Sequence, residues 1–323
     1  MLNVFKNFAK FSLAFGLIYW LVESGKIDFS LLKKTLESPM VIILVILMML
    51  LDHFIVAVRL KIILLKKAQE KLSLIKIFVA NWIGIFFNSV LPGAVTGDII
   101  KIFYLEELDK KLDKKFLLVA VFMDRVIGLI GLILIGGIVC IFNYNLLVGL
   151  SKEVSALVHF NLIFTLLIMM TLFILFFFKN FPHQIAKPFR NIKYLGSIVK
   201  KLEIIWNELT IFKENILKLI SLSMIIQGVA MLIFWYITRP YAEGDLSIAT
   251  IFTILPAGFI SLAIPISPGG LGVGHVVFHK LFGFFGITNG ADLFNIYFFF
   301  VLITNLTGVI PYIFYKKKKK LKN

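Results

Sequence analysis

Cysteine occurs once in 323 residues, at Cys140 inside an apolar run, so no intramolecular disulfide can staple this chain. Carboxylates are scarce too: 18 Asp+Glu stand against 34 Lys+Arg, a formal net charge of +16. No paired-carboxylate or Ser/His/Asp arrangement stands out, and there is no nucleotide motif, so neither a catalytic centre nor ATP-driven transport by this chain alone is expected. His275 and His279 have the i,i+4 spacing of a metal pair. No Glu lies between them and no third ligand is near, so neither a metal nor a cofactor is expected. The basic excess does not imply nucleic acid, because the Lys and Arg residues punctuate apolar runs and form no domain of their own. A cleavable leader is not expected either: after the first apolar run comes polar Glu23-Ser24-Gly25-Lys26 rather than a small-residue cleavage site.

What the chain does have is apolar length. It is 59% hydrophobic and 15% aromatic, with a mean hydropathy of +0.95, where soluble domains run nearer ~45–50% apolar. Several runs reach the roughly 20 residues needed to cross a bilayer. The expected fold is an all-α polytopic membrane protein, residues 1–323 forming a single transmembrane domain with no room for a sizeable soluble one.

Charge then orients the segments. Full spans are expected at 6–22, 40–64, 116–142, 160–178, 217–238 and 294–315. Basic residues cluster at the far side of the second span (Arg59, Lys61, Lys66, Lys67, Lys71, Lys76), across 98–115, across 179–215 and at the C-terminal lysines 316–320. Loops so enriched lie on the cytoplasmic side, which puts both termini there and loops 23–38, 143–159 and 239–248 outside. Within 183–214, apolar residues such as Ile198, Leu202, Ile205 and Leu209 recur every three to four positions. This is an amphipathic helix that either lies on the cytoplasmic leaflet or packs on the bundle.

Two segments do not fit as simple spans. At Leu91-Pro92-Gly93-Ala94-Val95-Thr96-Gly97-Asp98, Pro92 removes a backbone donor and clashes with the preceding turn, so a helix ends near Ser89 to Leu91. Thr96 can cap a new helix near Gly97. The device recurs at Ser267-Pro268-Gly269-Gly270-Leu271-Gly272-Val273-Gly274-His275, where Ser267 is a candidate cap with Pro268 at the first helical position. Keeping the basic loops inside makes 77–105 a re-entrant hairpin from the cytoplasm and 249–288 one from the opposite face. That is inverted-repeat geometry, with a substrate site expected between the halves. The competing reading is a pair of ordinary short spans at each place.

Helix starts within a membrane leave N–H groups unpaired at a positive dipole end, which suits a phosphate. The candidate cradle is Pro92, Gly93, Gly97, Ser267, Pro268, Gly269, Gly270, Gly272 and Gly274, although such glycines also serve tight helix packing. Asp124-Arg125 lies roughly 13 Å into its span at ~1.5 Å per residue. Arg125 is the expected phosphate ligand, with Asp124 orienting it or lowering the cost of burying it and Asp52-His53 as a candidate partner; a purely structural ion pair is the alternative. Lys101 can draw headgroups in, Arg59 is read as snorkelling, and Asn81 and Asn88 share a face from which they can satisfy broken backbone or touch ligand. Asp98 and His275 stand at equivalent places after the two breaks.

The stretches "LPGAVTGDIIKIFYL" (91–105), "DRVIGLIGL" (124–132) and "SPGGLGVGHVVF" (267–278) resemble, in order and spacing, the signatures of the lysylphosphatidylglycerol synthetase transmembrane-region family, a flippase-like family. The likeness covers essentially the whole chain, and Arg59 fits the family's basic position. The resemblance implies a domain that moves phospholipids or polyprenyl-phosphate-linked lipids in the cell membrane. It also implies that the aminoacyl-transfer domain fused to some relatives is absent. In the family pattern Glu follows the second Pro-Gly-Gly motif, where this chain has His275. The leading expectation is thus a lipid translocase whose partner is an anionic membrane lipid. The alternatives are an anion channel or exchanger, and a lipid-presenting subunit that works with a membrane enzyme or as a homo-oligomer.

Overall fold

A computed structural model describes residues 39–69, 71–91, 96–177, 195–263 and 273–315. Those residues are helical, with no strand among them. In chain order the helices are α1 (Pro39–Leu64), α2 (Leu74–Val90), α3 (Thr96–Leu105), α4 (Lys114–Phe142), α5 (Tyr144–Val148), α6 (Lys152–Phe177), α7 (Leu195–Ile211), α8 (Ile216–Thr238), α9 (Ile248–Ala263), α10 (Val273–Gly283), α11 (Gly290–Leu306) and α12 (Val309–Phe314). Five segments are long and apolar enough to cross a membrane: α1, α4, α6, α8 with its flanking turns, and α11 with α12. The expected span at 6–22, the lysines after Tyr315 and the 183–194 part of the amphipathic segment lie outside the described residues.

Two expectations need correction. The loop expected at 143–159 is largely helical, being α5 followed by α6 from Lys152. Ser151 Oγ accepts the Val154 N–H at 3.1 Å and starts the helix early, while Val154 and Val158 pack on Cys140 and Leu147. The amphipathic helix expected to reach 214 also ends sooner, at Ile211. The chain breaks at Phe212, and a 3-10 turn at Lys213–Asn215 opens α8. Trp206 and Phe212 are buried in the bundle's core, so the end of α7 packs on the bundle.

Among the described residues the core has two large clusters and three smaller ones. One large cluster joins Leu60, Leu64, Ile77, Leu105, Leu117, Phe212 and Leu219. The other is rich in aromatics, with Phe278 in ring contact with Phe234, Phe282 and Phe294. The connections sort in the same way. After α1, Lys67 Nζ meets Asp113 Oδ2 at 2.6 Å, Lys66 Nζ meets Glu214 Oε2 at 2.7 Å, and the Gln69 N–H donates to Asp109 Oδ2 at 2.7 Å. These bonds gather residues 65–73, 106–113 and 212–215 at one end of the bundle. At the other end of α8, the Glu243 N–H donates to Asn289 Oδ1 at 3.1 Å and Asn289 Nδ2 donates to the Tyr241 carbonyl at 2.7 Å. So α2 with α3, and α9 with α10, each bring the chain back to the end it left, and the two ends are opposite.

Asp113 also caps α4, accepting the Phe116 N–H at 2.8 Å. The Lys67 ammonium, then that N–H, hold its carboxyl below the ordinary value of 3.8. A depressed folded value means the contribution is complete above pH 3.8 and is lost as the pH falls through the lowered value. Asp113→Asn keeps the cap and removes the charge. The wild type is therefore expected to be the more stable of the two near neutrality, and that advantage should vanish on acidification and shrink in high salt. Paired thermal melts across pH check this.

Candidate functional site

The α2–α3 hairpin is closed by backbone on backbone. A Cβ added at Gly97 would stand 1.9 Å from the Gly84 carbonyl oxygen, so only glycine lets the helices meet there. Breaking the helix orphans the first N–H groups of α3. Asn88, on the last turn of α2, takes one of them: its Oδ1 accepts the Gly97 N–H at 2.7 Å. Asp98 then falls in the first turn of α3, where a carboxylate suits the dipole.

Asp98 is buried, and two cations address it. Lys101 Nζ is 3.3 Å from its Oδ1. Arg125 Nε, from α4, is 2.5 Å from its Oδ2, as a charge contact without the alignment of a hydrogen bond. Lys101 also donates to Asn81 Oδ1 at 3.3 Å, and the Asn81 Nδ2 meets no acceptor among the described residues. Lys101 is only 5% exposed, so it is a buried member of this network rather than a surface lure.

A second charge cluster lies behind the first. Arg59 Nε pairs with Asp124 Oδ1 at 2.8 Å, and its Nη1 donates to Ser223 Oγ at 2.8 Å, which ties α1, α4 and α8 together. Arg59 is 5% exposed and Asp124 4%. The snorkelling expected of Arg59 is thereby corrected: two partners deep in the bundle compensate its charge. The expectation that Asp124 orients Arg125 is corrected as well, because the carboxylate is spent on Arg59. Gly128 makes room, since a Cβ there would stand 3.2 Å from Arg59 Nη1, and Gly131 lets α4 lie against Ser223.

Asp52 belongs to neither cluster. It lines a cavity of about 390 Å³ with Ser89, Gln227, Phe259, Tyr297 and Asn305. His53 does not turn to Asp124 or Arg125 either; its Nε2 lies 3.2 Å from Asn305 Oδ1, donating when that nitrogen carries the proton. Asn305 Nδ2 in turn donates to Ser89 Oγ at 2.9 Å. The cavity touches the last turn of α2 at Ser89 and the last turn of α9 at Leu262, the helix ends that lead into the two breaks.

Pro92, Gly93, Ser267, Pro268, Gly269, Gly270 and Gly272 lie outside the described residues. Of the cradle glycines that are described, Gly97 has its N–H taken by Asn88, and Gly274 abuts the Phe294 ring, 2.3 Å from where a Cβ would sit. His275 Nε2 meets Asn295 Oδ1 of α11 at 2.5 Å. No group of three or more potential metal ligands occurs among the described residues. Sequence reasoning missed Ser223, Gln227, Asn295 and Asn305; Gln227 and Asn295 are lone polar residues in apolar runs, the one signal that marks them, while Ser223 and Asn305 sit among other small polar residues.

Five long apolar helices, with buried ion pairs and a cavity holding the Asp52 carboxylate between them, define a multi-pass membrane protein with buried charged groups. The chain belongs to the lysylphosphatidylglycerol synthase TM region family, which matches residues 7–310. It is also similar to a UPF0104 membrane protein of Pyrococcus horikoshii, 26% identical over 260 residues, covering 75% of this chain and 76% of that one. No solved structure matches.

Proposed function

We propose that this protein translocates an anionic phospholipid or polyprenyl-phosphate-linked lipid across the cell membrane, with Arg125 as the phosphate ligand. The observation that carries the reading is the placement of Arg125. Its side chain is 43% exposed, on the α4 stripe whose other members, Leu118, Phe122 and Leu129, are 55%, 50% and 40% exposed. It lies eleven residues beyond Lys114, the start of α4. At ~1.5 Å per residue that is roughly 16 Å along a span, about half of a hydrocarbon core. A guanidinium at that depth is costly and functional by default. From the bilayer side, a headgroup phosphate can reach it without entering the core.

The rest of the reading follows from the breaks. Each broken pair returns to the end of the bundle it left, which supports two re-entrant hairpins of opposite orientation, the first opening to the cytoplasm. The phosphate stays on the Arg125 side of the bundle and the hydrocarbon tail stays in lipid, while the cavity lies between the helix ends that lead into the breaks.

Arg125→Ala tests it in liposomes carrying a fluorescent phospholipid. Hydrogen bonds to charged groups contribute about 1.5–3 kcal/mol, so lipid movement is expected to slow by roughly ten- to a hundredfold. Equal rates for the two proteins would remove Arg125 from the mechanism. Ion flux without lipid flux would select an anion channel.

A further inference from the structure

Asp52 is a carboxylate that nothing described so far uses. Its Oδ1 is shut from solvent and meets no hydrogen-bond donor among the described residues. Yet the residue lines both the large cavity and a smaller one of about 160 Å³ beside it. The surroundings offer little to neutralise a negative charge. Ser89 comes from α2, Gln227 from α8, and Tyr297 and Asn305 from α11, all of them neutral. His53, next in sequence, is engaged with Asn305. The nearest fixed cation on α1 is Arg59, seven residues along, and it is already paired with Asp124 of α4. The last turn of α2, at Ser89, also brings the negative end of a helix dipole to the same space. An ionised carboxylate with an unmet oxygen in such a place is costly, and a neutral acid is not.

We propose that Asp52 is a proton-carrying group, protonated while the cavity is closed to water and ionised when it opens, so that lipid movement is coupled to a transmembrane proton gradient. The step is simple in its balance. A proton from one aqueous phase adds to a carboxylate oxygen, and the same proton leaves to the other phase. The coupling rests on the translocase reading; the protonation does not, and the tests are chosen to separate them.

The first test needs no transport. Infrared difference spectra of the full-length protein in nanodiscs, taken across a pH titration, are expected to show the C=O stretch of a protonated carboxylic acid near neutral pH. Asp52→Asn should lose that band and Asp52→Glu should restore it, shifted. A spectrum in which no band depends on Asp52 overturns the proposal. So does a band displaced by sodium at fixed pH, which would make this a metal-cation site.

The second test uses proteoliposomes with a fluorescent anionic phospholipid and an imposed gradient. A gradient of about one pH unit, worth about 1.4 kcal/mol per proton, supports up to a roughly tenfold lipid ratio between leaflets at one proton per lipid. The wild type is expected to build such a ratio, and Asp52→Asn to leave the leaflets even. An even distribution in the wild type, with lipid moving freely, overturns the coupling while the translocase reading stands. No movement in either protein overturns both, even where the infrared band is present.

Discussion

Replacing Arg59 by Met while leaving Asp124 in place is expected to cost about 3–5 kcal/mol of stability, the usual penalty for stripping one partner from a buried ion pair. The penalty arises because the Asp124 carboxylate keeps its charge but loses its guanidinium, in a position only 4% exposed. Ser223 loses the donor that binds its oxygen, though its own hydroxyl still donates to the Leu219 carbonyl at 2.8 Å. Three helices feel the change at once. Thermal unfolding in detergent micelles is the measurement. The double variant Arg59→Met with Asp124→Leu should recover most of the loss, since a buried pair can often be replaced by packed apolar groups at little cost. If the single variant melts with the wild type, the pair does not hold α1 to α4. If the double variant is as weak as the single one, packing and not charge is at stake.

The second large effect is expected at Gly97. A methyl group there must occupy space 1.9 Å from the Gly84 carbonyl oxygen and 2.6 Å from the Asn88 nitrogen. Both are backbone atoms, so no side chain can swing aside. α2 cannot retreat easily either, because Gly308 is packed against its other side, with a Cβ there 2.5 Å from the Trp82 carbonyl. Overpacking typically costs about 1–3 kcal/mol, and this case belongs at or above the top of that range. Gly97→Ala should also lengthen the Asn88 bond and pull Asp98 away from Arg125, so lipid movement should fall with stability. Gly283→Ala is the control, since nothing lies within 4 Å of a Cβ at that position. It should change the melting temperature little. Matching melts for Gly97→Ala and Gly283→Ala would refute the close contact.

How much of this was readable beforehand depends on how local each cause is. The break after Leu91 was legible because Pro and Gly act on their own backbone, and α2 ends at Val90 with α3 starting at Thr96. Span ends came within a few residues where apolar runs stop at charges, as for α1, α4 and α8. Asn88's service to the broken backbone was within reach, because it sits on the turn before the break. The partner of Asp124 was not. Asp124 and Arg125 are adjacent in sequence, but consecutive helical residues point about 100° apart. One therefore turns inward to α1 and α8, and the other outward to α3 and the bilayer. A bond across 65 positions, such as Arg59 to Asp124, is decided by how whole helices rotate against one another. Loop 143–159 was misread for a subtler reason: its few polar residues look like a surface connection, while Val154 and Val158 supply the buried side that makes it helical.

The contact between Asp98 and Arg125 is an ion pair that fastens the first hairpin to the long helix beside it. A guanidinium has finite capacity, and an arriving phosphate would draw on the same charge that Asp98 uses. Under the proposed function, cargo would therefore compete with this latch: a phosphate at Arg125 would weaken its hold on α3, while Arg59 and Asp124 keep the frame behind it fixed.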